Sequence, residues 1–118
     1  MQTVNPLACA LTKWSGQEDR CEWCDAQNVH GGRWCSSWHE HLWFANHRWS
    51  TAREYALRRD GRRCVKCGGE DRVEVHHITP LRGIRPKTSC WHHLHNLTSL
   101  CHDCHDEITF IQNKIWSE

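Results

Sequence analysis

Cysteine pairs recurring at one spacing constrain this chain more than any other feature. Cys64-Val65-Lys66-Cys67 and Cys101-His102-Asp103-Cys104 are two Cys-x-x-Cys pairs. Cys21-Glu22-Trp23-Cys24 is a third, followed by a Gly31-Gly32 turn and then by Cys35-Ser36-Ser37-Trp38-His39. Four thiolates, or three thiolates and an imidazole, at such spacing meet the tetrahedral preference of zinc. The expectation is two structural zinc ions, one on Cys64, Cys67, Cys101 and Cys104 and one on Cys21, Cys24, Cys35 and His39. The chain has 118 residues and is 38% hydrophobic. A core that lean needs staples. Disulfides are the other staple, but they belong to exported chains. Residues 1–20 have no basic start, and Leu7-Ala8-Cys9-Ala10-Leu11 is too short for the apolar part of a secretory signal. No run approaches the roughly 20 apolar residues of a membrane span. A reducing, cytoplasmic setting is expected. A redox-active Cys-x-x-Cys would need a thioredoxin-like βαβ context, which is lacking. Cys9 and Cys90 have no obvious partners and are expected to be free thiols.

Three segments follow. Residues 1–20 lack periodicity and read as a poorly ordered arm. Residues 21–49 read as a zinc knuckle with a Trp-rich helix from Ser36 or Ser37 to His47, its apolar face formed by Trp38, Leu42 and Ala45. Residues 50–118 form the remaining domain. It opens with a helix capped at Ser50 or Thr51, where Thr51-x-x-Glu54 has capping-box form, and closes at Gly61. Arg72–His76 alternates as a strand that Pro80 ends. A loop over 81–96 follows, then a second strand from Asn96 to Leu100. The last helix, from about Asp103, carries Ile108, Ile111 and Ile115 at helical spacing. The fold class is small α+β: strand, loop, strand, helix, stabilised by zinc and preceded by a knuckle and helices.

Within this frame lie Val75-His76-His77-Ile78-Thr79-Pro80, His95-Asn96-Leu97 and Cys101-His102-Asp103-Cys104-His105. In order and spacing, residues 53–110 resemble an HNH endonuclease, a metal-dependent phosphodiesterase of the ββα-metal class, here of the small free-standing phage or bacterial type. The resemblance implies that His77 is the general base and that Asn96 pins the loop so that the base faces its water. It implies that His76 and His105 hold a catalytic divalent ion (Mg, Mn, Ni, Co or Zn). A histidine suits the base, since its ordinary pKa lies near working pH. Cleavage would leave 5′-phosphate and 3′-hydroxyl ends, most simply by nicking double-stranded DNA. Two positions depart from the common pattern. His76 stands where many relatives have Asp, and two imidazoles favour Mn, Ni, Co or Zn relative to Mg. Thr109 stands where some relatives have a further ligand. His92, His93 and His95 are loop residues that either meet substrate or are bystanders, and His102 faces elsewhere.

Net charge is +1, so any affinity for DNA rests on charge distribution. Arg53, Arg58, Arg59, Arg62, Arg63 and Lys66 form one basic group, and Arg82, Arg85 and Lys87 a second. Arg58, Arg59, Arg62, Arg63, Arg82 and Arg85 are the candidate DNA-binding residues, against the alternative of an ordinary solvated helix face. Of eight tryptophans, Trp34, Trp38, Trp43 and Trp49 cluster in the first half. Most are expected in the core, although stacking on bases is open to them. Other readings are a non-catalytic zinc-stabilised DNA-binding module and an interaction module of a larger complex. The partners implied are DNA, and a phage packaging or restriction partner, with a monomer or homodimer and no membrane. The cell would be bacterial or phage-infected.

Overall fold

The computed structural model describes residues 9–28, 31–81 and 83–117. Arg82 and the first eight residues of the expected arm lie outside them, as do the side chains of Thr109 and residues 112–117. Among the described residues the chain is small α+β, with three α-helices and one two-stranded antiparallel sheet.

Helix α1 spans Ser37–His47. Ser36 caps it, its hydroxyl accepting from the His39 N–H at 3.2 Å and satisfying an otherwise orphan donor. Its buried residues are Trp43, Ala45, Asn46 and His47. The apolar pattern placed Trp38 on the packed face, but Trp38 is 61% exposed. The true face carries two polar side chains that hydropathy does not register.

One extended residue, Arg48, separates α1 from helix α2, Trp49–Arg59. The expected capping box at Thr51 and Glu54 does not form, because the helix begins earlier. The Trp49 N–H donates to the Lys87 carbonyl at 2.8 Å, and Arg48 bridges to Thr88. A distant loop thus does the work of a local cap. Glu54 instead pairs with Arg58 at 3.2 Å and with Arg62. Gly61 then turns the chain at φ +66, a conformation glycine adopts without a Cβ penalty.

Strands β1, Val73–His77, and β2, Leu97–Cys101, pair antiparallel, with His76 opposite Thr98 and His77 opposite Leu97. Between them run two short 3-10 turns, Cys90–His92 and Leu94–Asn96. Helix α3, His102–Ser117, follows β2 directly. The core is small: Ala52, Ala56 and Leu97 are buried together, with Trp49, Val75 and Leu94 against them. Polar contacts extend it. Arg59 donates to the Leu94 and Leu97 carbonyls at 2.8 and 2.6 Å and pairs with Asp60. Asp60 Oδ2 accepts from the Ser99 N–H at 3.1 Å. Among the described residues no helix is long and apolar enough to cross a membrane.

Candidate metal centres and reaction site

Two knuckles share one local geometry, which follows from the spacing. In the C-terminal knuckle the Cys64 N–H donates to the Gly69 carbonyl and the Gly68 N–H to the Cys64 carbonyl, both at 2.8 Å. In the N-terminal one the Cys21 N–H donates to Ala26 and the Asp25 N–H to Cys21, both at 2.9 Å. Gly68 and Asp25, at the same place in each turn, have φ of +76 and +67. Asp25 tolerates that left-handed conformation better than most residues. Its carboxylate is engaged by the Ser15 hydroxyl and N–H, at 2.6 and 2.9 Å.

Each turn aims N–H groups at its first sulfur. The Cys67 N–H donates to Cys64 Sγ and the Trp23 N–H to Cys21 Sγ, both at 3.4 Å. Burial raises the Cys64 and Cys21 thiols, but such donors outweigh it and bring each to about 6. The remaining ligands close in. Cys67 and Cys101 sulfurs lie 3.6 Å apart, Cys24 and Cys35 sulfurs 3.7 Å, and Cys35 Sγ lies 3.1 Å from His39 Nδ1. A tetrahedron with Zn–S of about 2.3 Å and Zn–N of about 2.0–2.1 Å has edges of roughly 3.3–3.8 Å. Within each group of four the ligand atoms all fall within 4.8 Å of one another, so both sets could hold a metal ion.

A third Cys/His group, on Cys9, His47, Cys90 and His93, meets the same criterion. Cys9 and Cys90 are free of disulfides, as expected, but the expectation that they have no partners is corrected here. Cys90-x-x-His93 has knuckle spacing of its own, and that signal was present in the sequence. Cys9 and His47 had none, because only the fold brings them there.

The nuclease-like residues lie around the end of β1. His76 is buried, and its ring meets that of His105 on α3 edge to face, centroids 4.9 Å apart. Buried His76 Nε2 has no hydrogen-bond partner, an expensive state for a polar nitrogen. Burial and the nearby His105 both lower the His76 pKa, which keeps it neutral and able to ligate. Glu74 shares this face of β1, and its Oε2 lies 4.0 Å from His105 Nδ1. The sequence pattern had not singled it out, although strand alternation places it beside His76. An unpartnered buried nitrogen, a second imidazole and a carboxylate are donor types that suit a divalent cation, although these three residues, unlike the Cys/His groups, do not bring all their ligand atoms within 4.8 Å of one another.

His77 engages other partners. Its ring stacks on Trp49 at 5.0 Å, and its Nε2 lies 3.0 Å from His92 Nδ1. His92 Nε2 is 2.8 Å from the Pro86 carbonyl, which can only accept. His92 is therefore protonated at Nε2 and accepts at Nδ1, and His77 donates from Nε2. The unprotonated nitrogen of His77 is Nδ1. Burial first, then the positive potential of His92, Arg85 and His76, lowers the His77 pKa to about 4. Trp49 is thus part of this site rather than only core, and the Arg85 guanidinium lies over its ring, 4.5 Å from the centroid.

Asn96 fixes the loop through three bonds. Its Oδ1 accepts from the Thr79 N–H at 2.8 Å, and its Nδ2 donates to the Trp91 and Thr79 carbonyls at 2.9 and 3.3 Å. Its own carbonyl accepts from the Ile78 N–H at 2.8 Å. Asn46 and Arg59 grip the same loop at Leu94.

The basic group is less free than the sequence implied. Arg58 and Arg62 pair with Glu54, Arg63 with Glu70 at 2.8 Å, and Lys66 with Glu107 at 3.0 Å. Arg59 is tied to backbone and to Asp60. Among the described residues no ion-pair partner is found for Arg53 or Arg85. His102 pairs with Asp106 at 3.2 Å.

Compared with models of protein families, with curated proteins and with solved structures, the chain matches none.

Proposed function

We propose that the chain is a metal-dependent HNH-type endonuclease of the ββα-metal class that hydrolyses DNA phosphodiester bonds, with His77 as general base. The observation that carries this reading is the buried, unpartnered His76 Nε2 on β1, set ring to ring with His105 on α3. Asn96 holds the intervening loop by three side-chain bonds. A divalent ion on His76 and His105, with Glu74 nearby, would supply charge stabilisation to the scissile phosphate and its departing oxygen.

The chain's own residues do the rest. His77 Nδ1 takes a proton from water while its Nε2–H remains on His92. The low basicity of His77 keeps it unprotonated at neutral pH. Asn96 keeps β1's exit in place, so that the base does not drift from its water. Arg85, beside this imidazole, is placed to bind a neighbouring phosphate bidentately. The two knuckles hold structural zinc, which offers no open position for chemistry.

One observation favours a second reading, a zinc-stabilised binding or interaction module without catalysis. Arg58, Arg62, Arg63 and Lys66 are paired with carboxylates, whereas Trp38, Trp91 and Ile84 are exposed. Plasmid cleavage with and without added Mn or Mg separates the two. Metal-dependent conversion of supercoiled to open-circular DNA, lost in His77→Ala, is the expected result. DNA binding without cleavage under any divalent ion would favour the module.

A further inference from the structure

Cys9 lies in the N-terminal segment, His47 ends α1, and Cys90 opens and His93 caps the first 3-10 turn of the loop between the strands. These four residues are far apart in sequence, yet their ligand atoms all lie within 4.8 Å of one another. Cys9 Sγ is 3.5 Å from His47 Nε2 and 3.6 Å from His93 Nε2, and the two Nε2 atoms are 3.1 Å apart. The sulfur–nitrogen edge of a tetrahedral zinc site is about 3.5 Å and the nitrogen–nitrogen edge about 3.3 Å. The three edges among Cys9, His47 and His93 lie close to those values.

Chemistry agrees with geometry. His47 is fully buried, and His93 and Cys9 are nearly so. His47 Nδ1 is 2.8 Å from the Trp43 carbonyl and must donate to it, so its Nε2 lone pair faces the cluster. A backbone carbonyl on the far nitrogen is the usual way a ligating imidazole is oriented. Cys90 is half-buried, and the other three ligand atoms face one another where little solvent reaches to satisfy them. Two cysteines, which lose their protons on binding, and two neutral imidazoles form the soft tetrahedral donor set that selects zinc.

We propose that Cys9, His47, Cys90 and His93 bind a third structural zinc ion, which clasps the N-terminal segment and α1 to the loop that carries His92 and Asn96. This site stands independently of the nuclease reading. It explains how a loop that leaves Ile78, Ile84 and Trp91 exposed is held: zinc takes the place of core.

The test is zinc content, measured on the full chain in a His76→Ala background, so that the reaction site contributes no metal. After dialysis against metal-free buffer, three zinc ions per chain are expected, one for each Cys/His group. Cys90→Ser should lower the count by one. Cobalt substitution should show that the lost site contributed thiolate charge-transfer absorption. Cys90→His, which keeps a ligand, should retain the full count, and it tests the site even if Cys90→Ser fails to fold. Two zinc ions in the parent chain would overturn the proposal. So would an unchanged count in Cys90→Ser, loss of the ion in Cys90→His, or a chain mass lower by the two hydrogens of a Cys9–Cys90 disulfide.

Discussion

His77 and His92 are joined Nε2 to Nδ1 at 3.0 Å, and the proton in that bond belongs to His77, because His92 uses its own on the Pro86 carbonyl. The pair fixes the tautomer of the candidate base. His77→Ala should lower plasmid cleavage by roughly 10²–10⁴-fold with zinc content unchanged. His92→Ala should lower it less, and His92→Asn, which can keep an acceptor near the Nδ1 position, should recover part of the loss. Rates near wild type in His77→Ala would mean that another group is the base.

His76→Ala and His105→Ala should each abolish metal-dependent cleavage and weaken binding of the exchangeable ion, which calorimetric titration with Mn would read. With two imidazoles as ligands, Mn or Ni should support at least the rate seen with Mg. Glu74→Gln should raise the Mn concentration needed for half-maximal rate, because the carboxylate stands beside His105. A metal requirement unchanged in His76→Ala would remove β1 from the ion site.

The Asp60 carboxylate links the end of α2 to β2. Burial raises its pKa, but the Arg59 guanidinium and the Ser99 N–H outweigh burial and hold it below the usual carboxylate value. A depressed folded-state pKa gives stability that is present above the unfolded value, near 4, and is lost as pH falls through the folded one. Asp60→Asn should therefore be less stable at neutral pH, by about 1–3 kcal/mol for a charged hydrogen bond. The gap to wild type should narrow below about pH 4. Urea melts at neutral and acid pH measure this, and a pH-independent gap would contradict it.

DNA affinity should depend on the arginines without acidic partners. Arg85→Ala and Arg53→Ala should each weaken binding across sequences alike and reduce the salt slope by about one. Arg58→Ala should do less, since its charge is already shared with Glu54. Arg59→Ala should act on stability instead, through the Leu97 carbonyl it would leave without its donor and the Leu94 carbonyl it would leave with only the Leu97 N–H. Gel shifts over a salt series, paired with melts, separate these effects. An Arg59→Ala chain of full stability and lost DNA binding would reverse the assignment.

Within the chain there is one His-Asn-His set, and one site cuts one strand at a time. Dilute protein should turn supercoiled plasmid into open circles before linear DNA appears. Linear product without that intermediate would require two sites acting together, as in a dimer.

The amino-acid sequence by itself determined the parts whose ligands are neighbours. Cys-x-x-Cys spacing encodes each knuckle because a tight turn suffices to bring two sulfurs together. The order strand, strand, helix was legible from alternation and helical period, and so was the start of α1 at Ser36 or Ser37. Residues far apart in sequence depended on tertiary structure alone. Cys9 and His47 carry no pattern that links them to Cys90 and His93, and their meeting depends on α1 packing against the loop. The start of α2 at Trp49 was hidden for the same reason, since its cap is the Lys87 carbonyl. So were the roles of Arg59, tied to the loop's carbonyls, and of His92, which fixes the tautomer of His77. Short-range geometry is set by spacing along the chain. Pairing across the fold is set by which surfaces pack, and one sequence read in order does not specify that.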